Sequence, residues 1–279
     1  MRITLFGTRG SIAAPGPETT RYGGNTSAVE VLGKDGTVLV LDAGTGIRRL
    51  GAQVLPCTTR IDILLTHLHM DHIQGLGFFD PLYDPMIDVH IWGPASSVLT
   101  LEARLSRYLS PPLFPVHLRD LSRVVCHEVP RPPFDVGPFR ISTSLVCHPG
   151  PTVGYRIEAE EGVATYLSDH EPALGLKNGQ WPAAEWISGY ELAINADLLI
   201  HDAQFTDDEY HRRAGWGHST YRHAFEFASQ VGAKQIVPFH HDPSHDDEML
   251  DRLLDDAVKT FKSICAAAGR EGTAFEVGG

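Results

Sequence analysis

The chain has 279 residues, 42% of them hydrophobic and 21% charged, the make-up of a globular protein with a sizeable core and not of a disordered one. Its 23 Lys and Arg against 35 Asp and Glu leave a net charge of −12, which argues against a protein built mainly to grip nucleic-acid phosphates. The longest apolar runs are strand-sized, so no membrane span is expected. Four scattered cysteines without a CxxC pair fit free thiols in a reducing cytoplasm better than a disulfide scaffold or a thiolate metal site.

Taken in order, residues 3–6 form a first strand, too short and too soon broken by Gly7-Thr8-Arg9-Gly10 to be a signal peptide. Residues 28–32 and 37–41 flank Gly33-Lys34-Asp35-Gly36 as a hairpin. Asp42-Ala43-Gly44-Thr45-Gly46 breaks that strand, and residues 47–54 have helical spacing. The strand at 61–66 runs directly into His67-Leu68-His69-Met70-Asp71-His72. Residues 89–92 read as a strand, and 96–109 as a helix opened by a serine cap. The prolines of residues 110–115 impose a non-helical loop. Strands follow at 140–146, 154–158 and 163–168. The last third is helical at 182–192, 221–231 and 246–268, with strands at 198–200 and 235–238. No linker, charge block or fixed-period repeat divides residues 1–279, so a single domain is expected, with sheets packed on each other and helices outside.

The chain carries 15 histidines, and their placement matters. His67, His69, Asp71 and His72 put four metal-competent side chains into six residues at the end of an apolar strand. Imidazoles suit zinc, iron and similar cations, and the carboxylate adds a hard donor. Ligands for two cations supplied by one loop are what a binuclear hydrolytic centre needs.

This HxHxDH run resembles the signature of the metallo-β-lactamase fold superfamily, whose fold is an α/β four-layer αββα sandwich. The resemblance extends over nearly the whole chain. It implies that His148, in Cys147-His148-Pro149-Gly150, joins His67 and His69 at one metal. Asp71, His72 and His240 would then hold the other, with Asp169 bridging both. His241, next to His240, is the rival for the last position, and His240 is favoured. The implied cofactors are two divalent cations, zinc in the first place, with manganese or iron also fitting. An Asp bridge is similar to the phosphodiesterase and glyoxalase II branches, where the β-lactam-hydrolysing enzymes generally have a cysteine.

Gly217-His218-Ser219-Thr220 and Ile200-His201-Asp202 resemble the tRNase Z-like branch, with His218 as proton donor and Asp202 as the carboxylate that orients it. An imidazole beside a carboxylate is poised to protonate a departing alkoxide. Only twenty residues separate His148 from Asp169, which leaves no room for the tRNA-gripping arm of that branch. The reading is therefore a phosphodiesterase for a small substrate such as a 3′,5′-cyclic nucleotide. The mechanism that the resemblance implies would take a hydroxide supplied by the two bound cations as nucleophile on phosphorus, with Asp71 handling the nucleophile's proton and His218 protonating the leaving group. Nucleic acid and membrane are not expected partners. The alternatives are a tRNA 3′-end endonuclease or a glyoxalase II-like thioester hydrolase. Arg9, Arg21 and Asn25 are candidate substrate contacts. His170, His201 and His245 read as hydrogen-bonded neighbours of the site. Leu76-Gly77-Phe78-Phe79 and the loop at Pro111-Pro112 are candidates for a homodimer interface.

Overall fold

In the computed structural model, which describes residues 1–121, 123–176 and 180–278, the strands are β1 (Arg2–Gly7), β2 (Ala28–Leu32), β3 (Val38–Leu41), β4 (Arg60–Leu64), β5 (Asp88–Gly93), β6 (Val124–Glu128), β7 (Phe134–Val136), β8 (Phe139–Leu145), β9 (Val153–Ala159), β10 (Gly162–Leu167), β11 (Leu198–Asp202), β12 (Gln235–Phe239), β13 (Cys265–Ala266) and β14 (Ala274–Glu276). The helices are α1 (Ile47–Gly51), α2 (Met70–Ile73), α3 (Leu101–Leu105), α4 (Tyr190–Ala193), α5 (Asp207–Arg213), α6 (Tyr221–Val231) and α7 (Asp247–Thr260). Two seven-stranded sheets result, in the orders β14-β1-β2-β3-β4-β5-β6 and β13-β12-β11-β10-β9-β8-β7. In each sheet one half is antiparallel and the other, β3 to β6 or β10 to β13, is parallel.

Alternation along the strands decides how the sheets pack. Ile3, Leu5, Val29 and Leu41 of the first sheet meet Tyr155, Ile157, Tyr166 and Phe239 of the second in a core between them. The opposite faces carry Val40, Ile61 and Ile63 under α1 and α3, and Leu199 and Ile236 under α6 and α7. The layers therefore run helix, sheet, sheet, helix, the αββα sandwich expected from the sequence. Among the described residues no helix is long and apolar enough to cross a membrane, and all four cysteines are free.

Four expected helices come out shorter. The one at 47–54 ends with α1 at Gly51. The one at 96–109 contracts to α3, because Thr100, not Ser96, is the cap and accepts from the Ala103 amide. The one at 182–192 is broken by Gly189, whose φ of +75° stops a helix; only α4 follows it. The one at 246–268 ends at Thr260, since residues 265–266 pair with β12 and cover its edge. In the expected dimer segment, Leu76 and Phe79 lie in the outer core and only Phe78 of the large side chains is exposed.

The parallel halves position the chemistry. β3, β4, β10, β11 and β12 all end at one rim of the sandwich, and their carboxyl ends carry Asp42, His67, Asp169, Asp202 and His240. That is where an open α/β sheet leaves its crevice.

Candidate active site

The run after β4 turns straight into α2, so His67 and His69 precede the helix while Asp71 and His72 sit in its single turn. His148 arrives from the loop after β8, Asp169 from the end of β10 and His240 from the end of β12. The structure brings all seven together. His67, His69 and His148 form one group of converging donor atoms; Asp71, His72 and His240 form another. Asp169 stands between them, its Oδ1 3.0 Å from His72 Nε2 and its Oδ2 3.5 to 3.9 Å from His240, His67 and His148. His67, Asp71, His72, Asp169 and His240 are buried; His69 and His148 form the open mouth.

Neighbouring groups turn the free nitrogens inward. His72 Nδ1 donates to Asp42 at 2.8 Å, and His148 Nδ1 donates to the Gly217 carbonyl at 3.0 Å. Each Nε2 is then a lone pair facing the cluster. His72 Nε2 lies 3.3 Å from His240 Nε2, and His148 Nε2 lies 3.3 Å from His69 Nδ1. Two nitrogens bound about 2.0–2.1 Å from one tetrahedral zinc would stand about 3.3–3.4 Å apart. Among the described residues, buried His67 Nε2 has no hydrogen-bond partner. The donor set thus fits divalent cations.

The electrostatics point the same way. Burial lowers the pKa of His67 and His69, and brings His148 down to about 4, so these imidazoles are neutral at pH 7. Burial alone would raise Asp71 and Asp169, but His72 and His240 override it and hold both carboxylates well below their usual range. Burial opposes charge on His72 as well, yet Asp169, Asp71 and Asp42 together raise it. A pocket that pulls a proton onto a fully buried imidazole is short of positive charge.

Between the neighbouring histidines, the structure separates the two clearly. His240 Nε2 lies 3.1 Å from Asp71 Oδ2, with its backbone at φ +60°. His241 points elsewhere and donates to the Gly269 carbonyl at 2.9 Å.

His218 stands at the mouth, its ring 5.2 Å from that of His148 and stacked 5.0 Å from that of His240. Its Nδ1 is 2.7 Å from Asp202 Oδ2. Asp202 is completely buried and also accepts from the amides of Ser219 and Gln204. Burial lowers the pKa of His218 and raises that of Asp202, so both favour a pair with no net charge. His218 Nε2 is left for a ligand. The helix cap of α6 is Thr220, so His218 is not spent on capping.

The three expected substrate contacts are not brought to the cluster. Arg9 is fully buried and donates to the carbonyls of Gly23, Asp242 and His245. Arg21 pairs with Asp251 and Asp247 beside α7. Asn25 gives its amide and side chain to Glu271. Each is spent on binding the N-terminal loops to the C-terminal segment. His170 and His201 bond each other at 2.9 Å, and His245 bonds Glu209 at 3.0 Å.

Sequence reasoning missed other supports. Asp42 takes His72, Thr66 and Tyr166. The Ser11 amide donates to Asp71 at 2.7 Å, and Gln204 donates to Ser11 Oγ. Glu171 accepts from the amides of Gly215 and Gly217 and from Tyr210, fixing the loop that carries His218. The only sequence signals were a strand ending in Asp-Ala-Gly and glycines flanking a histidine.

The model of the beta-lactamase superfamily domain matches residues 37–241, a span that holds all seven converging side chains and the His218–Asp202 pair. The chain belongs to the beta-lactamase superfamily. It is a hydrolase of the metallo-β-lactamase fold. Relatives within the superfamily include a Ribonuclease Z of Anoxybacillus flavithermus, 26% identical over 96% of this chain and 95% of its own. One from Natronomonas pharaonis is 26% identical and covers 92% of each chain. Among solved structures of the superfamily fold, the metallo-beta-lactamase fold protein YhfI from Bacillus subtilis superposes with a TM-score of 0.72 at 20% identity, over 99% of both chains. A diphosphatase from the PhnP family gives 0.68 at 19% identity, over 99% of this chain and 97% of its own. The short form of human tRNase Z gives 0.65 at 22% identity, over 99% of both chains.

Proposed function

We propose that the chain is a binuclear metal-dependent phosphodiesterase, with residues 1–279 acting as one catalytic domain. The observation that carries this reading is the His218–Asp202 pair at the edge of two converging donor groups that share Asp169. His67, His69 and His148 would hold one cation, and Asp71, His72 and His240 the other. Five imidazoles and two carboxylates suit zinc; manganese and iron accept the same donors. When bound, a pair of divalent cations lowers the pKa of water toward neutrality and neutralises charge on phosphoryl oxygens. The rest falls to the chain. Oδ2 of Asp71 is engaged by Ser11 and His240, which leaves Oδ1 for the proton of the attacking water. Asp202 holds His218 by Nδ1, so Nε2 presents the proton for the leaving oxygen.

Two substrate classes fit. An RNA 3′ end is supported by the relatives named Ribonuclease Z, which match over nearly their whole length. A small phosphodiester such as a cyclic nucleotide is supported by the net charge of −12 and the twenty-residue interval between His148 and Asp169. The relatives lend more weight to RNA. The deciding experiment is hydrolysis by the metal-loaded protein of a pre-tRNA, 3′,5′- and 2′,3′-cyclic nucleotides and a glutathione thioester, with Asp71→Ala as blank. Cleavage of any phosphodiester that Asp71→Ala abolishes supports the reading, and its identity selects the class. Thioester hydrolysis alone, or phosphodiester cleavage that survives in Asp71→Ala, overturns it.

A further inference from the structure

A cavity of about 650 Å³ opens against the cluster, with His67 and His69 in its wall. Its volume is that of a site for a ligand of drug size, well beyond what a phosphate group fills. The other walls are largely carbon: Met70, Ile73, Tyr108 and Leu113. Two guanidinium groups also line it, and they differ in what they do. Arg104 donates to the Pro94 carbonyl and lies 3.8 Å from Glu128. Arg107 is exposed and has no ion pair among the described residues. In a chain of net charge −12, a cation left at the edge of an apolar cavity marks what that cavity receives.

An apolar wall with a guanidinium beside it suits a planar aromatic ring, which buries its face against carbon and stacks on the cation. An alkyl chain would gain nothing from Arg107. We infer that this cavity receives the nucleoside part of a nucleotidyl phosphodiester whose scissile phosphate lies at the cluster. Leu113 and Arg107 determine that preference. The position of the scissile group rests on the phosphodiesterase reading; the choice of nucleoside does not need turnover to be tested.

Leu113 is 69% exposed and Arg107 is exposed too, so both tolerate substitution without loss of the core. The test is calorimetric titration of the zinc-loaded full chain with adenosine 5′-monophosphate, ribose 5-phosphate and butyl phosphate. Adenosine 5′-monophosphate is expected to bind at least tenfold tighter than either of the others. Leu113→Asp and Arg107→Ala, checked for folding by circular dichroism, are each expected to erase most of that difference. Equal affinity for the three phosphates overturns the inference. So does butyl phosphate matching the nucleotide, an absence of saturable nucleotide binding, or a preference that survives both variants. A nucleotide preference without any phosphodiester hydrolysis would leave the cavity assignment standing and remove the proposed reaction instead.

Discussion

Asp42 is shielded from solvent and gathers hydrogen bonds from five donors, the Thr66 amide and hydroxyl, the Tyr166 and Ser168 hydroxyls and His72 Nδ1. An amide in its place would turn N–H toward one of those donors. Asp42→Asn is therefore expected to weaken one of the two proposed cation sites about 10–100-fold and to cost about 1–3 kcal/mol of stability. Chelator competition with the purified variant reads the first, and an unchanged affinity would show that His72 needs no such support. The leaving-group role proposed for His218 is tested in the same way, by asking what its removal costs. His218→Ala should lose roughly 10²–10⁴ in rate on a phosphodiester with an alkoxide leaving group and much less on a nitrophenyl ester, which departs without a proton. Equal losses on both would make His218 a binding group only. The difference in legibility between these residues is physical. His67, His69, Asp71 and His72 are contiguous, so a strand end announces them together, whereas Asp42 and Ser11 reach the same point from other strands and look like ordinary turn residues in the sequence.

At the scale of elements, the long-range placement of His240 depends on β12 meeting the segment after β1. The Gly10 amide donates to the His241 carbonyl, and a Cβ on Gly10 would lie 2.4 Å from His240 Nδ1. Gly10→Ala is expected to push the imidazole off Asp71, to lower occupancy of one cation site by tenfold or more and to leave the fold in place. Elemental analysis after dialysis against a weak chelator, set beside a circular dichroism spectrum, checks this; two cations retained would mean that the histidine has room to shift. Strands with clear apolar alternation were readable, as was α6, whose buried face repeats at helical spacing. What failed was local propensity overruled by distant partners. β6 and β7 are short and half-exposed, β13 exists because β12 has an edge to cover, and Gly189 breaks a helix-like stretch where a Cβ would come within 2.9 Å of His170. The three polar side chains expected to meet substrate failed for a related reason: Arg9, Arg21 and Asn25 have partners more than 200 residues away, and no local pattern encodes them.

For the whole molecule, crowding histidines into a folded interior makes stability depend on pH in a direction that can be worked out. His201 and His241 are completely buried, and burial brings their pKa values down to about 4 and about 3, against about 6.5 in an unfolded chain. Between those limits the unfolded state binds more protons than the folded one, so stability is fully present above pH 6.5 and declines as the pH falls through the window. At pH 5 each of the two costs about 2 kcal/mol. His67 and His148 are shifted down too and add to the loss. His72 and Asp202 are shifted up, so their contributions fall as the pH rises above about 6.5 and above the carboxylate range respectively, and partly offset the trend. Asp71 and Asp169 are held low, so their contribution declines mainly below the carboxylate range. Urea denaturation of the metal-stripped chain should accordingly give a smaller free energy at pH 5 than at pH 7.5, the losses at His201, His241, His67 and His148 outweighing the gains at His72 and Asp202. Equal values at the two pH values would mean that these histidines gain a proton or find water in the native state.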